Sequence, residues 1–375
     1  MEYNYLGKTG IKVSRFGLGG MRLSESTAEA VRLIRYAIDH GVTYQDSAYI
    51  YPDSELKIGQ AMKDGYREKV TLATKCPIHR VQKPEDFERF LDEQLVRLGT
   101  DHIDIYLMHG MAASVWGKVK GMGCLDFLDK MIGKSKILHA GFSSHTDYKT
   151  YIEIIDSYDW ELSLVQMNIL DEFEQATLKG IEYAAAKGVG IAIMEPLRGG
   201  SIVYNAPPEV QGLLDAFPTR RSLQEWCFRW LYDKPEVNVI LSGLSSMEHL
   251  NDNLRIFSDA KPNVMNAAEK ELILKIRTIF ENLTAIPCTG CEYCLPCPQN
   301  VNIPRVFSTY NQHQLNKPNM SSLIFYHHEM IKRGIAGDCC IECGQCTEKC
   351  PQSLDIPDLL KEAHKELSDF TPLDY

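Results

Sequence analysis

No stretch of this 375-residue chain stays apolar for the roughly 20 residues that a membrane-spanning helix needs. The opening, MEYNYLGKTG, lacks the basic stretch and apolar centre of a secretory leader. Both absences predict a cytoplasmic protein with no membrane partner. A surplus of positive charge is also missing: 40 Lys and Arg stand against 50 Asp and Glu, a net charge of −10. That sign argues against a nucleic-acid partner or an anionic lipid surface. No repeat of the solenoid kind recurs. With 44% hydrophobic and 24% charged residues, the composition is that of a folded globular protein. Cysteine is scarce ahead of position 288, with only Cys76, Cys124 and Cys227, each in an apolar strand or helix pattern where a thiol packs as a small apolar group. Nine of the 12 Cys are crowded between 288 and 350. In a cytosolic chain such a block points to metal ligation rather than to disulfides.

Between residues 15 and about 258, short apolar runs alternate with amphipathic patterns of helical period. The runs RFGLGG (15–20), TYQDSA (43–48), VTLATK (70–75), IDIYLMH (103–109), LHAGFSS (138–144), LVQMNI (164–169), GIAIMEP (190–196) and VNVILSG (237–243) read as eight strands. A helix pattern follows each. The first spans Ser26 to His40, with Ser26 and Glu29 as a capping box, Val31, Ile34 and Ile38 on one face and Gly41 as the stop. Near-continuous apolar strands alternating with helices imply a parallel sheet buried on both sides. Eight such units predict a closed (β/α)₈ TIM barrel, with an open doubly wound sheet as the alternative. After one more helix pattern, Ala267 to Leu283, the alternation stops. The expected domains are therefore a barrel over 1–283 and a small, mainly helical, Cys-rich domain with a C-terminal tail over 284–375. Few long apolar runs occur from 284 to 355, so metal centres are expected to replace a hydrophobic core there.

The second Cys group is Cys340-x2-Cys343-x2-Cys346-x3-Cys350-Pro351, the spacing of bacterial [4Fe–4S] ferredoxins. A loop with Cys at every third residue can wrap a cubane and turn three thiolates inward, and the fourth Cys ligates the other cluster. The first group, Cys288-x2-Cys291-x2-Cys294-x2-Cys297-Pro298, is one residue short in its last interval. Swapped ligation gives two [4Fe–4S] clusters: Cys288, Cys291, Cys294 and Cys350 on one, and Cys340, Cys343, Cys346 and Cys297 on the other. The alternatives for the first group are a structural zinc or spare thiols. Each group ends in CPQ followed by VNIP or LDIP, which points to a duplicated unit. Cys339 is left over.

In an α/β barrel the reactive groups sit at the carboxyl ends of the strands. Those ends carry Asp46, with Tyr51 five residues on, then Lys75 and His109. Together they form an acid–base set: a phenol, an ammonium to lower its pKa, a carboxylate to hold that ammonium, and an imidazole to aim a substrate oxygen. The segments GLGGMRL, QDSAYIYPDSE, LATKCP, IDIYLMHG, GFSSH, VQMN, MEPLRGG and GLSSMEHLNDNL follow the order and spacing of the aldo-keto reductase family, over residues 1 to about 260. The Cys-rich tail resembles the ferredoxin-like extension of one branch of that family. The resemblance implies an oxidoreductase whose catalytic set is Tyr51, Asp46, Lys75 and His109, acting on a small-molecule carbonyl or alcohol with NAD(H) or NADP(H). It implies cofactor contacts from Gly20 and Met21, from Ser143, Ser144 and Gln166 to the nicotinamide amide, and from Pro196, Leu197, Gly199, Gly243, Ser245, His249 and Asn253 to the rest of the dinucleotide.

Two departures from the family pattern stand out. Ser144 replaces an Asn. Gly243 and His249 occupy positions where relatives that use NADP carry a Lys/Arg pair, so a strong NADP preference is not expected; the nearest other cations are Arg22, Arg198 and Arg255. A nicotinamide moves two electrons as a hydride and a [4Fe–4S] cluster moves one, so direct exchange between them is not expected. A flavin in the phosphate-binding turns, or a redox partner protein with this chain as one subunit of a complex, is the alternative reading.

Overall fold

The computed structural model describes the chain except for residues 174, 205, 244–245, 283–284, 287, 289–293, 316, 351–353 and 371–375. Eight parallel strands close on one another: β3 (Phe16–Gly19), β4 (Tyr44–Asp46), β5 (Thr71–Cys76), β6 (Ile103–Met111), β7 (Ile137–Ser144), β8 (Leu162–Gln166), β9 (Gly190–Met194) and β10 (Val237–Gly243), with β10 pairing both β9 and β3. This is the (β/α)₈ barrel; the open sheet is excluded by that closure. The first helix, Thr27–Asp39, starts where the capping residues place it, the Ser26 hydroxyl accepting from the Glu29 amide.

A feature absent from the strand pattern precedes the barrel. Strands β1 (Tyr3–Tyr5) and β2 (Lys12–Ser14) form an antiparallel hairpin. Leu6 and Val13 from this hairpin join Tyr44, Ala73, Ile105, Leu107, Leu162, Leu164, Ala192, Val239 and Leu241 in one buried cluster inside the barrel. The hairpin is a plug at the amino ends of the strands, where the Lys8 amide donates to the Gly188 carbonyl just ahead of β9. Arg15, at the entry to β3, is buried and donates to the carbonyls of Ala260 and Val237 at 2.6 and 2.8 Å. Burial pulls its pKa down to about 10.

Side-chain alternation then decides what reaches the opposite, carboxyl end. Tyr44, Ala73, Leu107, Leu164, Ala192 and Leu241 point to the axis. Two residues on, Asp46, Lys75, His109, Gln166, Met194 and Gly243 have the same parity. On β7 a Cβ at Gly141 would lie 2.5 Å from Leu107, so Gly141 is also axial and Ser143 shares its parity.

The chain divides into two compact units, Met1–Gly199 with Thr219–Ile273, and Gly200–Pro218 with Leu274–Tyr375. The division falls within the helix Ala267–Asn282 rather than at 284, and it assigns a segment between β9 and β10 to the second unit. That unit has an apolar core of its own, contrary to the expectation from its lack of apolar runs. Val301, Ile303, Val306, Phe307, Tyr310, Leu323, Tyr326, Met330, Ile356, Leu360, Ala363 and Leu367 are buried together. They come from the helices Ile303–Leu315, Met320–Phe325 and Ile356–Ser368 and the π-helical turn Tyr326–Ile331. Helical spacing separates these apolar residues along the chain, so they never form a run. Among the described residues, no helix is long and apolar enough to cross a membrane.

Candidate active site

The barrel mouth brings together all four residues of the acid–base set. Lys75 is buried and donates to Asp46 Oδ2 at 2.6 Å and to the Ser47 carbonyl at 2.6 Å. Tyr51 stands on the turn after β4, its amide bonded to the Ala48 carbonyl. The Lys75 ammonium lies 5.0 Å from the centre of the Tyr51 ring. His109 meets the same ring edge-on, with centroids 5.8 Å apart at 90°. Asp46 Oδ1 and His109 Nδ1 are buried with no hydrogen-bond partner among the described residues.

Burial and charge compete at each group. Burial alone lowers the Lys75 pKa, but Asp46 and Tyr51 more than reverse this and leave the ammonium above its ordinary value. Burial raises the Asp46 carboxyl, and Lys75 only partly offsets it. Tyr51 is the instructive case. Lys75 does pull the phenol down, as the residue types suggest, but burial pushes it up further, and Asp46 and Glu195 add to the rise. The phenol therefore sits above its ordinary value, not below it. His109 is driven well below the usual imidazole value, first by burial, then by Lys75, His79 and His145.

The other candidate positions divide. Gln166 is buried, with its amide engaged by Asp171 on one side and Gln175 on the other. Ser143 accepts from the Gly110 amide at 2.9 Å, which ties the ends of β6 and β7 together. Ser144 has the opposite parity, and its hydroxyl accepts from the Thr146 amide within the turn. Gly20 is buried; a Cβ there would lie 2.5 Å from the Asp46 carbonyl and 2.7 Å from Ser54 Oγ, so packing between β3 and β4 requires the glycine. Met21 is 64% exposed. Pro196 is buried, Leu197 is partly buried, and Gly199 and Gly243 are exposed. Asn253 spends its amide inside the protein, donating to Ser242 Oγ and accepting from Gln224. The His249 amide donates to Ser246 Oγ, which caps the helix Met247–Ile256. Ser245 lies outside the described residues.

Sequence reasoning named Arg22 only as a further cation and gave no role to Glu195 or Asp171, and the structure brings all three to this mouth. Glu195, at φ 52°, is close enough to Tyr51 to raise its pKa. Arg22 donates to the Gly199 carbonyl at 2.7 Å, so its guanidinium sits at the turn after β9, while its Cβ lies 3.8 Å from the position a Cβ would take at Gly243. Asp171 pairs with Arg198 beneath Gln166. Only Asp171 left a readable trace: Asn168-x2-Asp171 has the spacing of an Asx turn, and Asn168 Oδ1 accepts from the Leu170 and Asp171 amides.

In the tail, Cys294 belongs to the apolar core, while Cys288, Cys297, Cys339, Cys340, Cys346 and Cys350 pack against it and Cys343 is exposed. Cys297 lies near Cys339, and Cys340 near Cys346. Among the described residues no three Cys, His, Asp or Glu side chains converge as a closed metal site, and Cys291 is outside them. The donor chemistry is that of an iron–sulfur protein: thiols distributed around one core, from both Cys groups. The barrel fits a dinucleotide in kind, with an axial amide at Gln166 and the Arg22 guanidinium at the Gly199 turn.

One consequence of the geometry concerns pH. The His109 pKa in the folded chain is below the unfolded value of about 6.5, so the unfolded chain binds the extra proton and stability declines as pH falls below about 6.5. An NMR titration of the imidazole, assigned with His109→Gln, should show a neutral ring at a pH of about 6. A midpoint near the unperturbed value would contradict the buried placement.

Residues 15–213, more than half of the chain, match the aldo/keto reductase family, and residues 287–354 match the 4Fe-4S dicluster domain. The chain is similar to the uncharacterized oxidoreductase YrpG of Bacillus subtilis, 26% identical over 326 residues that span 75% of this chain and 96% of the relative. It is similar to L-galactose dehydrogenase of Arabidopsis thaliana, 24% identical over 322 residues, 76% and 97% of the two chains. Among solved structures, the aldo-keto reductase AKR11C1 from Bacillus halodurans superposes with a TM-score of 0.63 at 23% identity, covering 74% of this chain and 96% of that one, which supports the barrel fold. With its barrel closed, its family match spanning the strands that carry the mouth, and a dicluster domain following, the chain belongs to the aldo/keto reductase family and is an oxidoreductase with a C-terminal 4Fe-4S extension.

Proposed function

We propose that the barrel interconverts a small-molecule carbonyl and its alcohol with a nicotinamide cofactor, and that the tail holds two [4Fe–4S] clusters. The observation that carries the barrel reading is the convergence of Lys75, Asp46, Tyr51 and His109 at one mouth. The nicotinamide, when bound, supplies or accepts the hydride. The chain handles the proton. In the reducing direction Tyr51 gives its phenolic proton to the substrate oxygen, and the Lys75 ammonium, held by Asp46, stabilises the phenolate left behind. His109, neutral, donates a hydrogen bond to the same oxygen. Ser143 and Gln166 would meet the carboxamide, and the turn beginning at Glu195, with Arg22 against it, and Gly243 would meet the phosphates.

Tyr51→Phe keeps the ring and removes the transferable proton. Turnover on a panel of small aldehydes and ketones should fall by roughly 10²–10⁴-fold, the usual size of a general-acid contribution. Cofactor affinity and iron content should not change. Lys75→Met should cost a similar factor. Full activity of Tyr51→Phe would remove the tetrad from the mechanism.

Arg198 is paired with Asp171, and Arg255 with Asp252 and Glu225, so neither cation is offered to a 2′-phosphate. A 2′-phosphate needs charge-assisted donors to offset its desolvation. NADH should therefore bind at least as tightly as NADPH in fluorescence titrations. NADPH binding tighter by about tenfold, or 1.4 kcal/mol, would overturn this and assign the 2′-phosphate to Arg22.

For the tail, the swapped ligation supports one cluster on Cys288, Cys291, Cys294 and Cys350 and the other on Cys340, Cys343, Cys346 and Cys297. Protein purified without oxygen should contain about eight iron and eight acid-labile sulfide per chain. A reproducible value of about four would remove the second cluster, and zinc in place of the missing iron would assign the first Cys group to that metal.

A further inference from the structure

A single buried carboxylate organises the ends of two neighbouring strands. Asp171, 1% exposed, follows β8. Its Oδ2 accepts from Gln166 Nε2 at 2.8 Å, from Asn168 Nδ2 at 2.6 Å and from Arg198 Nε at 2.9 Å. Its Oδ1 accepts from the Arg198 terminal nitrogen, which completes a two-point fork. Asn168 Nδ2 also reaches the Glu195 carbonyl at 3.3 Å. Burial pushes the Asp171 carboxyl up, but Arg198, Asn168 and Gln166 together outweigh it and hold the group ionised.

An ionised carboxylate only accepts hydrogen bonds. The edge of the Gln166 amide that faces Asp171 must therefore be its NH₂. The opposite edge, Oε1, accepts from Gln175 Nε2 at 3.1 Å. A free amide turns over at little cost, because its oxygen and nitrogen are alike in size. Here the reversed amide would set two acceptors against each other in a buried place. The same carboxylate grips Arg198, at φ 46° in a turn that begins with Glu195 at φ 52°, both in the left-handed region that ordinary residues avoid. The ion pair alone is weak evidence of a stabilising role. Replacing a buried ion pair with neutral residues of similar size is often neutral or favourable.

We infer that Asp171 is a positioning residue for the nicotinamide cofactor: it fixes which edge of the Gln166 amide meets the carboxamide, and through Arg198 it holds the turn after β9 in register with it. The inference rests on the nicotinamide reading of the barrel.

The test titrates NADH against full-length protein and follows cofactor fluorescence, beside thermal melts. The double variant Asp171→Asn, Arg198→Met removes both charges together and so leaves no buried unpaired ion. Its melting point should stay near wild type while the Kd for NADH rises by about tenfold, as for loss of one well-made hydrogen bond to the cofactor. Gln166→Leu should weaken binding similarly. Combining it with the double variant should cost less than the two effects summed, because part of the Asp171 effect passes through Gln166. Arg198→Lys keeps the charge and loses the fork; its Kd should rise less than that of the double variant. It also provides a readout if the double variant fails to fold. Wild-type affinity in Arg198→Lys and in any folded double variant, or effects that simply add to those of Gln166→Leu, would overturn the inference and leave the nicotinamide reading standing. Failure of the wild-type protein to bind either NADH or NADPH would overturn both.

Discussion

A barrel closed by eight parallel strands has no edge, and each strand must send every second side chain to the axis. That alternation produces both the core and the site. Tyr44, Ala73, Leu107 and Leu164 fill the interior. The next axial residue on the same four strands is Asp46, Lys75, His109 or Gln166. These polar groups lie at or near the carboxyl ends of the strands, with Asp46, Lys75 and Gln166 buried and His109 partly so. Lys75 can occupy such a place only because Asp46 and the Ser47 carbonyl meet it at 2.6 Å. An unpaired ammonium at the same depth would cost several kcal/mol or lose its proton. The hairpin plug fills the other end, so this polar layer lies toward the loops that follow the strands.

The protonation states at the mouth follow from that depth. Desolvation penalises every charge, so it raises the phenol and the carboxyl and lowers the imidazole. Within the tetrad, Lys75 is the group at which attraction outweighs burial, with Asp46 as the larger contributor. The outcome is a protonated phenol, a neutral imidazole and a retained ammonium, the set that the proposed carbonyl reduction requires. Lys75 therefore does not make Tyr51 an unusually strong acid in the resting barrel. It limits how far burial weakens the acid, and in the proposed reaction it would provide the charge that meets the phenolate. Glu195 works against this from the next layer of loops.

The strands and the four mouth residues were legible because both depend on local periodicity: apolar runs of strand length, and reactive residues placed where the runs stop. What was not legible depends on contacts between distant segments. The β1–β2 hairpin is two three-residue strands, too short for a pattern, and its plug residues Leu6 and Val13 acquire meaning only against β9 and the barrel interior. Resemblance assigns Ser143, Ser144, Gln166 and Asn253 to the cofactor, and each also bonds within the protein, Ser144 to Thr146 and Asn253 to Ser242 and Gln224. A motif records residue type at a position but not which bonds the side chain already makes. Asp171 and Arg198 are 27 residues apart, and nothing in either segment announces the pair. In the tail, reading for runs concealed a core built at helical spacing from Ile303, Val306, Phe307 and Tyr310.

That core bears on what the iron–sulfur chemistry is for. Reduction of a carbonyl is balanced by one hydride and one proton, so the barrel reaction needs no further electrons. A cluster passes electrons singly, and a hydride carrier releases them as a pair; an intermediary able to do both, such as a flavin, has to stand between them if the two centres exchange electrons. If the clusters served only to hold the tail together, their ligands would be expected to occupy the place of a hydrophobic core, as metals do in domains too small to form one. The tail has a core, and of its described motif thiols only Cys294 lies within it. The others sit at its margin, with Cys343 exposed. Ligands at the edge of an existing core add little to folding that the core does not already provide, and they bring the clusters close to solvent. That position is compatible with the electron-transfer role proposed for the clusters.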